Sequence, residues 1–113
     1  MSAQERRAAI RALNDAFRTT MDHRLGRVMM TAGVDALPSD VKAMVIRRVA
    51  TFSDFNADND PHGEHDFGSF ELSGHKFFWK IDAYDANMEF GSENPADPNV
   101  TTRVLTIMLA EEY

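Results

Sequence analysis

Between Asp54 and Gly68 the chain runs D-F-N-A-D-N-D-P-H-G-E-H-D-F-G, and most of the side chains able to do chemistry gather there. Asp54, Asp58, Asp60, Glu64 and Asp66 bring carboxylates, His62 and His65 bring imidazoles, and Asn56 and Asn59 bring carboxamides. No Lys or Arg occurs between Arg48 and Lys76, so the segment holds no cation of its own. Such a concentration of like charge is costly unless water, a metal or a cationic partner compensates it.

Three chemistries fit these residue types. Calcium is the first, because Asp54, Asn56, Asp58 and Asp60 alternate as the oxygen ligands of an EF-hand loop do. The pattern then fails: Asn59 stands where the glycine belongs and His65 where the bidentate glutamate belongs. The second is a transition-metal site in which His62, Glu64, His65 and Asp66 act as ligands to zinc, manganese or iron. Their spacing is not the helical H-E-x-x-H of zinc proteases, and Pro61 and Gly63 set them on a turn, so ligands from distant segments would be needed. The third is purely structural. Asp and Asn hydrogen-bond nearby backbone N–H groups in Asx turns and caps, and Asp58, Asn59 and Asp60 need do no more.

Other catalytic patterns are absent. Lys80 follows Phe78-Trp79, so the E-x-K of metal-dependent nucleases has lost its glutamate. Neither a G-x-S-x-G elbow nor a phosphate-cradling glycine loop occurs. Lys80 and Asp82 lie two residues apart and are open to acid–base work, with a cross-strand salt bridge as the plainer expectation.

The elements that must position these groups follow from periodicity. Ile10, Leu13, Phe17 and Met21 recur at helical steps through residues 4–21, with Arg6, Arg7, Arg11 and Arg18 mostly off that line and expected in solvent. Residues 27–31 predict a short strand. A second helix is predicted from Pro38, capped by Ser39 or Asp40, with Val41, Met44, Val45, Val49 and Phe52 facing the core. Past the acidic connector the period becomes two. Residues 67–72 and 75–84 predict a hairpin about Ser73-Gly74, in which Phe77, Trp79, Ile81 and Ala83 face the core and Phe78, Lys80, Asp82 and Tyr84 the other side. Residues 103–109 are apolar on both faces, which suits a central strand, although periodicity leaves a buried helix open. The expected fold is α+β in the order α-β-α-β-β-β: two helices on a mainly antiparallel sheet of about four strands. Met29, Met30 and Met44 are expected as core filler, and Trp79 as its anchor.

Composition bounds the function. A chain of 113 residues that is 43% hydrophobic is one domain, residues 1–113. With no cysteine, a disulfide scaffold and thiolate chemistry are excluded. The charged first twenty residues do not form a secretory leader and no apolar run is long enough to span a membrane, so a cytoplasmic protein without membrane contact is expected. The net charge of −6 is uneven: residues 1–48 carry nine Lys and Arg against five Asp and Glu, and residues 49–113 three against thirteen. An acidic half argues against direct nucleic-acid binding.

Five blocks carry a resemblance: A-L-N-D-A-F-R (Ala12–Arg18), N-D-P-H-G-E-H-D-F-G (Asn59–Gly68), F-F-W-K-I-D (Phe77–Asp82), P-A-D-P (Pro95–Pro98) and R-V-L-T-I-M-L-A-E-E-Y (Arg103–Tyr113). Together they resemble the bacterial family catalogued as domain of unknown function 3768, found chiefly in alphaproteobacteria and often on mobile DNA. Ala83, before Tyr84, stands where that pattern has a second tyrosine. The resemblance implies a small bacterial protein and brings no catalytic residues with it. The resulting expectation is a non-enzymatic accessory protein that presents Asp58, Asn59, Asp60, Glu64, Asp66, Lys80 and Asp82 to a protein partner, without a cofactor. An inhibitor of host defence or restriction machinery is its special case, motivated by the mobile-DNA association and by an acidic face that mimics nucleic-acid charge. The alternative is a divalent-metal hydrolase or metal-binding module using His62, Glu64, His65 and Asp66. The oligomeric state is left open by the sequence.

Overall fold

A computed structural model describes residues Met1–Tyr113. Helix α1 (Ala3–Thr20) begins at a capping box: Glu5 N–H donates to Ser2 Oγ at 3.0 Å and Ser2 N–H to Glu5 Oε1 at 3.2 Å. It ends where Met21 turns left-handed, with φ 51°. Strand β1 (Gly26–Met30) leads through a one-turn helix α2 (Ala32–Asp35) into helix α3 (Ser39–Ala50). The expected cap on α3 is not formed: Pro38 occupies the cap position, and no side chain bonds the first turn. Its fixed φ suits the entry to a helix without one. Phe52 lies past the end of α3 yet still packs on the core.

The acidic connector then leads to β2 (Phe67–Leu72) and β3 (His75–Tyr84). Ser73 and Gly74 join them with φ of 52° and 78°. Positive φ at both central residues is the type I′ turn, whose twist matches that of paired strands. Strand β4 (Thr102–Leu109) ends in a 3₁₀ turn at Ala110–Glu112, which, like α2, has no counterpart in the predicted order.

The four strands lie in the order β1-β4-β3-β2. β4 runs antiparallel to β3, and β3 to β2, but β1 lies parallel to β4. The fold is α+β as expected, on a mixed sheet. Residues 103–109 form a strand, not a buried helix, and their two-sided apolarity follows from the central place of β4 between β1 and β3. Register puts Trp79 opposite Ile107, Ile81 opposite Leu105 and Phe77 opposite Leu109 on one face. That face meets Phe17 of α1, Val34 of α2, and Val45 and Val49 of α3 in a single buried cluster. Trp79, Phe77 and Phe17 are fully buried, each contributing roughly 2–3 kcal/mol by area removed from water. Trp79 is the anchor that its sequence position suggests.

The opposite face carries no α-helix. Phe67, Phe78 and the C-terminal Tyr113 ring cluster on it at 5.3–6.2 Å between centroids. Two methionines expected in the core lie outside it: Met29 is 54% exposed and Met44 45%. Met29 alternates with Val28 onto the uncovered face of β1. Met44 lies beside Val45 on α3, one position round the helix from the side that meets the sheet.

Candidate functional site

The acidic connector is organised from within before it touches anything else. Asn56 Oδ1 accepts from the N–H groups of Asp58 (2.9 Å) and Asn59 (3.1 Å). Asn59 answers by accepting from Asn56 N–H at 2.9 Å and donating to the Asp54 carbonyl at 2.8 Å. Asp60, only 8% exposed, accepts from the N–H groups of Glu64 and His65, both at 3.1 Å. Its carboxylate closes a turn that needs left-handed backbone at Gly63 (φ 65°) and at His65 (φ 53°). These are the Asx turns and caps anticipated for Asn59 and Asp60, whereas the Asp58 carboxylate takes no part and Asn56 accepts in its place.

Helix α1 then holds the connector from the other side through Arg11, Asn14, Asp15 and Arg18, whose three- and four-residue steps put them on one helical face. Arg11 donates to the Gly63 carbonyl at 3.0 Å and Asn14 Nδ2 to the Glu64 carbonyl at 2.9 Å. Asp15 meets His65 Nδ1 at 2.9 Å. Arg18, expected in solvent, is 3% exposed. Its guanidinium donates to Asp15 at 3.1 Å and to the carbonyls of Val49 (2.9 Å), Ala50 (3.3 Å) and Phe52 (3.1 Å), so it closes the C-terminal end of α3, where a cation is favoured. It lies over the rings of Trp79 and Phe55, 5.1 and 5.4 Å from their centroids. Arg18 Nε and Trp79 Nε1 are the two buried side-chain nitrogens left without a partner. Arg103 extends the network from β4, donating to Asn14 Oδ1 at 2.7 Å and to the Pro95 carbonyl. Burial pulls its guanidinium below the ordinary value, against the opposing pull of Glu64's charge.

His65 bears most directly on catalysis. Its ring stacks on Phe55 at 3.7 Å with planes 3° apart, Nδ1 is taken by Asp15, and Nε2 faces Asp60 at 3.6 Å. A general base needs one nitrogen turned toward a reacting group. Both nitrogens here face carboxylates and one ring face is covered, so His65 ties the connector to α1. His62 lies exposed at the tip, Glu64 and Asp66 are half-buried, and no group of three or more His, Asp or Glu side chains converges in a metal-binding arrangement. The four residues offered as metal ligands are therefore not brought together.

The seven residues offered as a partner surface fall into three sets. Asn59 and Asp60 are occupied inside the fold, whereas Asp58 is exposed and Glu64 half-exposed on the connector. Lys80 and Asp82 lie toward the open sheet face, and Asp66 stands just before β2, its carbonyl accepting from Ile81 N–H. Burial holds the Asp66 carboxyl above its ordinary range; its own backbone N–H and His62 oppose this, and the charges of Asp60 and Asp82 add to it. Lys80 Nζ pairs with Asp82 at 3.1 Å along a single strand rather than across strands, and that hydrogen bond raises the lysine. Sequence reasoning missed Asn14, Asp15, Arg18 and Arg103. Asn14 was the available signal, since a carboxamide four residues after Ile10 and three before Phe17 falls on the apolar stripe and is 4% exposed.

The family model described as "Protein of unknown function (DUF3768)" matches residues 30–112. No curated protein and no solved structure matches the chain. No helix is long and apolar enough to cross a membrane.

Proposed function

The chain belongs to the DUF3768 family, whose description assigns no activity, and on that footing we propose that it is a non-enzymatic interaction protein that presents its acidic connector to a basic protein partner. One observation carries this reading: Arg11 and Asn14 hold the connector's backbone carbonyls, and Asp15 its His65, so Asp54 and Asp58 face solvent on a segment fixed in advance. A surface ordered before binding loses less conformational entropy on association. Neutralising cations are absent from the connector, and a cationic partner supplies them. A restriction or defence component that itself binds nucleic acid is the special case, because such a component is basic where it meets phosphate.

The test is titration of ¹⁵N-labelled protein with an Arg/Lys-rich peptide, against a variant carrying Asp54→Asn, Asp58→Asn and Glu64→Gln. Asp60 is left intact because it closes the turn. Amide shifts are expected to concentrate in residues 54–66, with binding weakened about tenfold in the variant and further by salt. Equal shifts at the other acidic positions, such as Asp35, Glu93 and Glu111, would show only diffuse attraction and overturn the reading.

A further inference from the structure

The open face of the sheet holds a groove of about 500 Å³ whose floor is Val104 and Thr106 of β4. Arg27 and Met29 of β1 form one wall. Tyr84 and Met88 form the other, the latter at φ 62° in the turn that follows β3. That turn is fixed by Asp85 N–H donating to the Phe90 carbonyl at 2.8 Å and by Ser92 N–H donating to Ala83 at 2.9 Å. The volume lies within the range of small-molecule sites, and so does the chemistry: apolar walls with a few polar groups converging on them.

The polar groups set the ligand class. The side chains of Arg27, Tyr84 and Thr106 make no hydrogen bond or ion pair within the protein, whereas the neighbouring charges are matched. Arg24 pairs with Asp22 at 2.7 Å and Lys80 with Asp82 at 3.1 Å. Asp82 is the nearest carboxylate by register, since Val104 lies between it and Arg27. Two strand spacings, roughly 9.5 Å, separate their backbones. Arg27 also lines a smaller adjoining cavity of about 220 Å³, so the groove is apolar along its length with one unpaired cation at the end where the two cavities meet.

We propose that this groove binds a small amphipathic anion, its apolar body between Met29 and Met88 and its charged head on Arg27. The two thioether side chains are flexible and polarisable and adapt to aliphatic or flat ligands alike. This site is independent of the acidic connector.

Octanoate, octanol and octyltrimethylammonium serve as probes, read through ¹³C-methyl signals of the methionines. Met44, exposed on α3 on the other side of the sheet, is the internal control. Octanoate is expected to shift Met29 and Met88 saturably and leave Met44 still, and to bind more tightly than the neutral or cationic chain. Arg27→Gln, at an exposed position without partners, should weaken octanoate about fivefold and leave octanol unchanged. Equal affinity for octanoate and octanol, or an unaltered octanoate affinity in Arg27→Gln, would overturn the anion site. Parallel shifts at Met44 would mean indiscriminate apolar binding. Shifts of Met29 and Met88 that follow protein concentration without any probe would assign the groove to a second copy of the chain instead.

Discussion

Polar side chains in the network beneath α1 and in the groove on the other side of the sheet differ in how far the protein engages them. Beneath α1, Arg18, Asp15, His65, Asp60, Asn14 and Arg103 bond one another and the backbone, in surroundings where an unmatched group would be expensive. On the open face, Arg27, Tyr84 and Thr106 line an apolar groove and bond nothing in the protein. The acidic connector draws attention by its composition, yet its buried carboxylate and its inward histidine are structural. The groove on the open face is unremarkable in composition, yet its arginine, tyrosine and threonine side chains are unengaged. Density of ionisable residues along a chain thus says little about which of them remain available; geometry across elements decides it.

The comparison breaks most readily at Arg18. Arg18→Met keeps the apolar stem but strips the cation from Asp15 and the donors from the carbonyls of Val49, Ala50 and Phe52. Asp15 is itself partly exposed, so the cost lies mainly in the buried guanidinium and the three carbonyls it leaves without a donor, about 3 kcal/mol. Arg27→Gln on the open face should change stability by less than about 0.5 kcal/mol. Urea unfolding of the two variants measures both, and similar losses would erase the distinction between the faces.

Asp60 against Asp58 draws the same line inside the connector, at smaller scale. Asp60→Ala strands the N–H groups of Glu64 and His65 and should cost about 2 kcal/mol. Asp60→Asn, whose Oδ1 accepts the same bonds, should recover part of that. Asp58→Ala removes an exposed carboxylate whose side chain makes no hydrogen bond and should be nearly silent. Amide exchange at Glu64 and His65 would report the loss locally, and protection that survives in Asp60→Ala would mean the turn is held by α1 alone.

Much of this fold is legible residue by residue. The hairpin follows from period-two alternation around Ser73-Gly74, and the central strand from apolarity on both faces at 103–109. The parallel pairing of β1 with β4 is not legible, because it joins Met30 to Ile107, 77 residues further along, and five residues of β1 carry no direction of their own. Arg18 was misplaced for a related reason. A helical wheel puts it beside the apolar stripe, but only the arrival of the α3 C-terminus above it supplies the acceptors that let it be buried. The turn-forming roles of Asn59 and Asp60 were legible because their partners lie within five residues. The connector's ties to α1, at Gly63, Glu64 and His65, reach across some fifty residues, and only Asn14, polar on an apolar stripe, announces them.

Asp66 ends the connector, immediately before β2, and gives the smallest expected effect. Burial raises its carboxyl above the ordinary range, so just above pH 3.8 the folded protein retains a proton that the unfolded chain has begun to release. Stability rises with pH only where the unfolded state binds more protons, and here the folded state binds more. The contribution of Asp66 is therefore fully present below pH 3.8 and is lost as pH rises through its raised folded value. At neutral pH the ionised, half-buried side chain is a liability, and Asp66→Asn should stabilise the protein by about 0.5 kcal/mol, a value discounted for its partial exposure to water. The advantage should shrink as pH falls toward 4. Paired urea midpoints for wild type and Asp66→Asn at pH 7.5 and 4.5 test this. A gap that stays constant would mean that burial does not move this carboxyl, and asparagine that destabilises at pH 7.5 would show that the carboxylate has a cationic partner and belongs with the network beneath α1.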